Sequence, residues 1–186
     1  NENQVKSGCA LIMKKFGKID GLINNAANNP KIEGKSKISF SRLENFKIKQ
    51  WNDDLNVGLT GSFICSKFFG EKISKNKKGG VIIHISSDLG LIAPDQNLYV
   101  SKRNKVESVK PITYYVVKTG VIGLSRYLST YWTKQNVRSN VICPGAISNN
   151  QSNEFLEKIK LKIPLGRLAN QDEYQSTIIW MLSDNT

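Results

Sequence analysis

Cysteine and histidine are scarce in this chain, and their scarcity removes whole classes of chemistry. Three cysteines stand at Cys9, Cys65 and Cys143, and the one histidine is His84. An odd, widely spaced set of thiols with apolar neighbours makes neither a disulfide framework nor a metal site; it is the pattern of reduced core thiols in a cytosolic protein. With a single histidine, neither a zinc centre nor a Ser-His-Asp triad is expected, and no metal is assigned. No apolar run approaches the roughly 20 residues that span a bilayer. The longest, Val81 to Ile85, has the length of one buried strand. The chain opens at Asn1 without a methionine and without a basic-then-apolar signal, so nothing in it reads as a secretion address. A cytoplasmic protein with no membrane partner is the expectation.

Acidic residues are outnumbered, 15 against 27 lysines and arginines, for a net charge of +12. A basic chain can bind nucleic acid or anionic lipid. Here the lysines are scattered, and the densest cluster, Lys72 to Lys78, falls at a predicted helix end, where cations complement the helix dipole. Without an aromatic-interleaved basic patch, no nucleic-acid partner is expected. The 186 residues suffice for one domain with a real core.

What the chain does contain is an alternation of helical and strand periodicities. Val5, Cys9, Ile12, Met13 and Phe16 share one helical face over residues 3–16, and Gly17 stops the helix. A short strand follows at Ile19 to Ile23, ending in Asn24-Asn25-Ala26-Ala27. Residues 28–49 read as loop and a short helix. A long helix is predicted over 52–74, with Leu55, Leu59, Phe63 and Phe69 to Ile73 apolar. Gly79-Gly80 breaks it before the β-branched strand Val81 to Ile85. A polar loop from Ser86-Ser87 to Lys110 leads into a second long helix over 112–132, striped by Val117, Val121, Leu124, Leu128 and Tyr131. A strand from Val137 to Cys143 ends at Pro144-Gly145. Helical patterns at 152–160 and 171–183 flank Pro164-Leu165-Gly166-Arg167. Strands alternating with helices of this length require crossovers and a parallel sheet, so the fold class is doubly wound α/β. Such sheets bind ligands beyond the carboxyl ends of their strands.

Tyr114 and Lys118 stand four apart on the second long helix and share a face. A lysine ammonium one turn away favours the phenolate and lowers the tyrosine pKa from its usual value near 10. Such a pair can take a proton from an alcohol while hydride leaves its carbon, or return it to a carbonyl oxygen. Tyr-x-x-x-Lys alone is common by chance. Asn24-Asn25-Ala26-Ala27 after one strand, Ser86-Ser87 after the next, Tyr114-x-x-x-Lys118, then Asn140-x-x-x-Pro144-Gly145, in that order, resembles the short-chain dehydrogenase/reductase family over nearly the whole chain.

The resemblance implies a Rossmann-like fold, NAD or NADP as cofactor, and interconversion of a small-molecule alcohol and carbonyl. Asn25 and Ala26 match the segment along the adenosine side of the dinucleotide. Ser87 matches the substrate-orienting serine, Tyr114 the catalytic acid/base, and Lys118 the residue that lowers its pKa and bonds the nicotinamide ribose. Pro144, Gly145 and Ile147 match the segment flanking the nicotinamide ring, with Ser148 or Asn149 standing where a threonine often bonds the carboxamide. Arg167 and Glu173 are expected as a structural ion pair. The helices over 52–74 and 112–132 pair between subunits in that family, so a homodimer or homotetramer is implied. The run from Ser86 to Gln96 and the long loop before Lys110 look similar to a subgroup acting on sugars or sugar derivatives.

Departures from the family pattern carry their own expectations. The glycine-rich phosphate loop is absent, and residues 1–186 read as a single partial domain lacking its first strands and its last strand. That fragment is expected to be inactive alone. The position seven after Trp51, where many members have a catalytic asparagine, is Gly58; Asn56 lies about 200° around the helix. A non-catalytic dinucleotide-binding or structural subunit is therefore the alternative. Tyr99 rivals Tyr114 by distance from Ser87, but Lys102 follows it by three residues and Arg103 by four. His84 reads as a satisfied core residue, Cys143 as an inert buried thiol, and the three tryptophans as helix packing. Gly120 and Gly123 read as points of close approach to the sheet.

Overall fold

The computed structural model describes residues 1–28, 40–100 and 108–184. Helix α1 (Glu2–Phe16) is capped by the Asn1 side chain, which accepts from Asn3 N, and ends at Gly17 with φ 76°. Glycine takes that left-handed conformation without a Cβ penalty, and its N–H closes on Met13 O. The predicted stop is where the sequence reading puts it. Strand β1 (Gly21–Asn24) runs into helix α2 (Ile48–Leu55), a wide π turn over Asn56–Thr60, and helix α3 (Gly61–Ile73). Strand β2 (Gly80–Ile85), helix α4 (Ile112–Tyr131) and strand β3 (Val137–Ile142) follow, then helices α5 (Asn153–Lys160) and α6 (Gln175–Leu182).

The three strands form one parallel sheet in the order β1-β2-β3. Gly21 to Asn24 pair with Val81 to His84, and Gly80 to Ile85 pair with Val137 to Ile142. Helices cover both faces. On one, Ile82 and Val137 pack with Cys9, Ile73 and Leu128 from α1, α3 and α4. On the other, Val81 and Ile83 pack with Met181 and Ile178 of α6. Apolar side chains on both faces of a strand explain the continuous Val-Ile-Ile run of β2. The doubly wound parallel architecture is the one expected.

Several local expectations change. The helix read as beginning at 52 begins at Ile48 and is not continuous, because the π turn interrupts it at Gly58. β1, read as Ile19 to Ile23, runs from Gly21 to Asn24, whose backbone pairs with His84 and whose buried side chain donates to Ser66 Oγ of α3 at 3.1 Å and contacts His84 Nδ1 at 3.4 Å. Gly120 approaches Leu59 in the π turn rather than the sheet, and nothing lies within 4 Å of where a Gly123 Cβ would be. Phe63 and Tyr131, read as parts of inward stripes, are 51% and 59% exposed. Trp132 packs on the core, whereas Trp180 is 58% exposed. The Arg167–Glu173 ion pair forms, at 2.6 Å. All three cysteines are free, and Cys143 is half-buried rather than buried.

The parallel ladder puts Asn24, Ile85 and Ile142 at one edge of the sheet. Asn25 and Ala26, then Ser86 and Ser87, then Pro144 and Gly145 leave from that edge, which is where the site lies.

Candidate active site

Beyond the ends of β2 and β3 lies a cavity of about 590 Å³. Ser87, Tyr114, Lys118, Pro144, Gly145 and Ile147, six of the residues assigned from sequence, line it together. Asn25 and Ala26 stand exposed after β1, on the same sheet edge but outside that lining.

The two serines separate by partner. Ser86 is buried and donates to Lys118 O at 2.7 Å, tying the strand end to α4. Ser87 turns into the cavity, donates to Asp88 Oδ1 at 2.8 Å and accepts from Leu89 N at 3.2 Å. The Asp88 backbone N–H bonds Pro144 O at 2.9 Å, so the two loops hold each other. Ile147 pairs with Ala169, and Ser148 N donates to Ala169 O at 2.9 Å, which fixes the segment after Gly145.

Tyr114 sits in the first turn of α4. Burial pushes its hydroxyl above the usual tyrosine range, and a hydrogen bond with Ser87 works against that. Lys118 lies one helical turn further along α4. Its ammonium lies 5.7 Å from the Tyr114 ring centre and donates to Ile85 O at 2.8 Å. Burial lowers the Lys118 pKa in turn. Tyr99 lines the same cavity, but burial raises its hydroxyl to about 12 and its ring packs on Phe155 at 5.6 Å. Lys102 and Arg103, which weighed against Tyr99, lie outside the described residues.

Gly58 is buried in the π turn, where a Cβ would overlap Val117 Cγ1. Any side chain at that position, an asparagine included, would require Val117 to shift. His84 is fully buried, and its Nε2 finds no partner among the described residues, so it is not fully satisfied. Burial lowers its pKa to about 4, which keeps the ring neutral. Among the described residues no cluster of His, Cys, Asp or Glu could hold a metal, and no helix is long and apolar enough to cross a membrane.

The sequence reading missed Lys110 and Asp54. The Lys110 ammonium lies 3.7 Å from the Tyr114 ring centre and lines the cavity. A lysine just before a helix N-terminus opposes the dipole, and that was the available signal. Asp54 is buried and accepts from Thr113 Oγ1 at 2.5 Å, Gln50 Nε2 at 2.7 Å and Asn28 Nδ2 at 3.1 Å.

Comparison with known proteins adds a family to this geometry. A family model described as enoyl-(acyl carrier protein) reductase matches residues 1–186. The chain is similar to the 3-oxoacyl-(acyl-carrier-protein) reductase FabG of Buchnera aphidicola, at 29% identity over 189 residues, covering 100% of this chain and 67% of that one. It is also similar to the 2-dehydro-3-deoxy-D-gluconate 5-dehydrogenase of Dickeya dadantii, at 27% over 187 residues, covering 95% and 65%. A short chain dehydrogenase from Leptospira borgpetersenii, solved with bound NAD+, superposes with a TM-score of 0.84 at 26% identity, covering 99% of this chain and 65% of that one. The chain therefore spans about two thirds of the length of these relatives. A family-model match along residues 1–186, relatives named as reductases and dehydrogenases, and the shared parallel-sheet fold agree: the chain belongs to the short-chain dehydrogenase/reductase family.

Proposed function

We propose that the full-length protein containing this chain is an NAD- or NADP-dependent oxidoreductase that interconverts a secondary alcohol and a carbonyl on a sugar or sugar derivative. The observation that carries this reading is the meeting of the Ser87 and Tyr114 hydroxyls in one cavity, with Lys118 a turn away. When bound, the nicotinamide group supplies or accepts the hydride. Asn25, Ala26, Tyr114, Lys118, Pro144, Gly145 and Ile147 are the residues that would hold the dinucleotide. A cavity of about 590 Å³ with a lysine on its wall and loop backbone along its side fits the nicotinamide end.

In this proposal Ser87 holds the substrate oxygen and Tyr114 moves the proton. A buried phenol that stays protonated suits donation to a carbonyl oxygen, leaving a phenolate that Lys118 stabilises by turning from Ile85 O toward the ring. Alcohol oxidation runs the same proton back to Tyr114. The likeness to the Dickeya dehydrogenase, whose printed name is that of a sugar-acid enzyme, supports the substrate class. Three unpaired cysteines support a reducing, cytoplasmic location. Exposed apolar groups on α3 and α4 support self-association as a homodimer or homotetramer.

In the full-length protein, Tyr114→Phe is expected to cut turnover at least a hundredfold while cofactor binding, followed by nicotinamide fluorescence, stays within a few-fold. Tyr99→Phe is expected to retain most activity. Full turnover in the Tyr114 variant would overturn the mechanism. A second reading, a dinucleotide-binding subunit without chemistry, is favoured by Gly58 standing at the position of the usual asparagine, where an added Cβ would overlap Val117 Cγ1. It predicts cofactor binding with no turnover across a broad alcohol and carbonyl panel.

A further inference from the structure

One carboxylate in the cavity has no part in the chemistry proposed above. Asp88 lines the wall beside Ser87 and opens the short turn Asp88–Gly90, which the Ser87 side chain caps. That turn is tied down from several directions. Asp88 N donates to Pro144 O at 2.9 Å, and the Asp88 carbonyl accepts from Leu91 N at 2.8 Å and Ile92 N at 3.0 Å. From α4, Thr119 Oγ1 donates to Gly90 O at 3.4 Å. The backbone therefore fixes where the Asp88 side chain starts.

The two oxygens of the carboxylate differ. Oδ1 accepts from Ser87 Oγ and from Leu89 N, both at 2.8 Å. Oδ2 accepts from no donor among the described residues, and no lysine or arginine among them forms an ion pair with Asp88. A Cβ on Gly145, which also lines the cavity, would lie 3.8 Å from Oδ2. The carboxylate thus reaches from Ser87, which would hold the reacting oxygen, to Gly145, which would flank the nicotinamide. An ionised carboxylate oxygen accepts hydrogen bonds and donates none. Enclosing such an acceptor under a substrate without a partner costs free energy, and a donor on the substrate removes that cost.

We propose that Asp88 is a specificity-determining residue that accepts, through Oδ2, a hydrogen bond from a hydroxyl or amino group on the substrate carbon next to the one oxidised or reduced. The proposal rests on the oxidoreductase reading above for the identity of that reacting carbon. Hydrogen bonds to a charged acceptor are shorter and stronger than neutral ones. A site built to hold a substrate donor discriminates against the analogue that lacks it. An ether oxygen or a bare methylene at that carbon gives Oδ2 no proton.

The test uses the full-length protein with NAD or NADP and a panel of pyranose sugars. The carbon next to the oxidised one carries in turn a hydroxyl, an amino group, a methoxy group or hydrogen alone, and NMR of the product identifies the oxidised carbon. Expected is a kcat/KM at least about tenfold higher for the hydroxyl or the amino form than for the methoxy and hydrogen forms, the better form naming the donor. Asp88→Asn keeps an oxygen for Ser87 Oγ and Leu89 N but puts an amide N–H where Oδ2 stands, and it is expected to erase that ratio. The readout is the ratio, since a change beside Ser87 alters the absolute rate for every form. Equal use of the four forms by the wild type, or an unchanged ratio in Asp88→Asn, overturns the proposal. Should no sugar be turned over, the oxidoreductase reading falls, and calorimetry on the cofactor-loaded protein decides this proposal separately. Binding of the hydroxyl or amino form at least about tenfold tighter than the hydrogen form, with the difference lost in Asp88→Asn, sustains the acceptor site; equal binding, or none, overturns it.

Discussion

A methyl group on Gly58 would overlap Val117 Cγ1, so this glycine is set by close approach and not by a positive φ. Gly58→Ala is expected to cost about 1–3 kcal/mol by overpacking, and Val117→Ala to relieve it, with a coupling of roughly 0.5–3 kcal/mol in a double-mutant cycle by urea denaturation. Simple additivity of the two changes would show that the contact is not what holds the glycine. His84 is the other residue whose surroundings decide its behaviour. Its folded pKa is about 4, below the unfolded value of about 6.5, because burial penalises the imidazolium. As pH falls from about 6.5 the unfolded chain takes up the proton first, so His84 withdraws stability progressively down to about 4 and little further below it. The full loss is about 3 kcal/mol. Comparing wild type with His84→Gln by denaturation at pH 7.5, 6, 5 and 4 isolates this from the carboxylates. A pH-independent difference between the two would contradict a buried neutral ring.

Asp54 shows how a single side chain joins elements. Its carboxylate accepts from Gln50 in α2, from Asn28 after β1 and from Thr113 in the first turn of α4, the residue before Tyr114. Asp54→Ala leaves these donors without their acceptor in a buried setting, and a loss of about 3 kcal/mol in urea denaturation is expected. Asp53→Ala, at an exposed residue paired with Lys49 at 2.8 Å, should stay within about 0.5 kcal/mol. Equal costs at the two positions would remove Asp54's special place. The same pair marks the limit of sequence reading. Asp53 and Asp54 are adjacent and chemically identical in the chain, and only tertiary packing says which is buried. Helix α4 was legible because its apolar spacing is regular and Pro111 precedes it; the strand ends were legible because parallel strands share a carboxyl edge. The π turn over Asn56–Thr60 was not, and the closeness there of Gly58 to Val117 joins residues far apart in sequence. Lys110 was hidden for the same reason: its neighbour through the helix turn is visible in sequence, but the cavity beside it is not.

At the scale of the molecule, the surface that the sheet does not need becomes the question. The apolar residues of α3 and α4 exceed what one sheet face can cover: Val117, Val121 and Leu128 are buried, while Phe63, Tyr127 and Tyr131 are 51%, 62% and 59% exposed. Tyr127 and Tyr131 stack on one another at 5.6 Å, which stiffens the exposed aromatic surface. Large aromatic groups of this kind contribute to interface cores out of proportion to their number. The charge of +12 on these 186 residues opposes association at low ionic strength, so self-association through their apolar patch should strengthen, not weaken, as salt screens that repulsion. The full-length protein is therefore expected to run as a dimer or tetramer by light scattering at micromolar concentration, with assembly favoured as salt rises from about 0.05 to 0.5 M. Phe63→Glu combined with Tyr131→Glu places like charges on that surface and should shift the protein to monomer while circular dichroism keeps its α/β signature. A wild type that stays monomeric at every salt concentration would assign these exposed aromatics no role in assembly. Association that dissolves as salt rises would instead put the contact on the ion pairs of the surface, and the aromatic variants would then leave it intact.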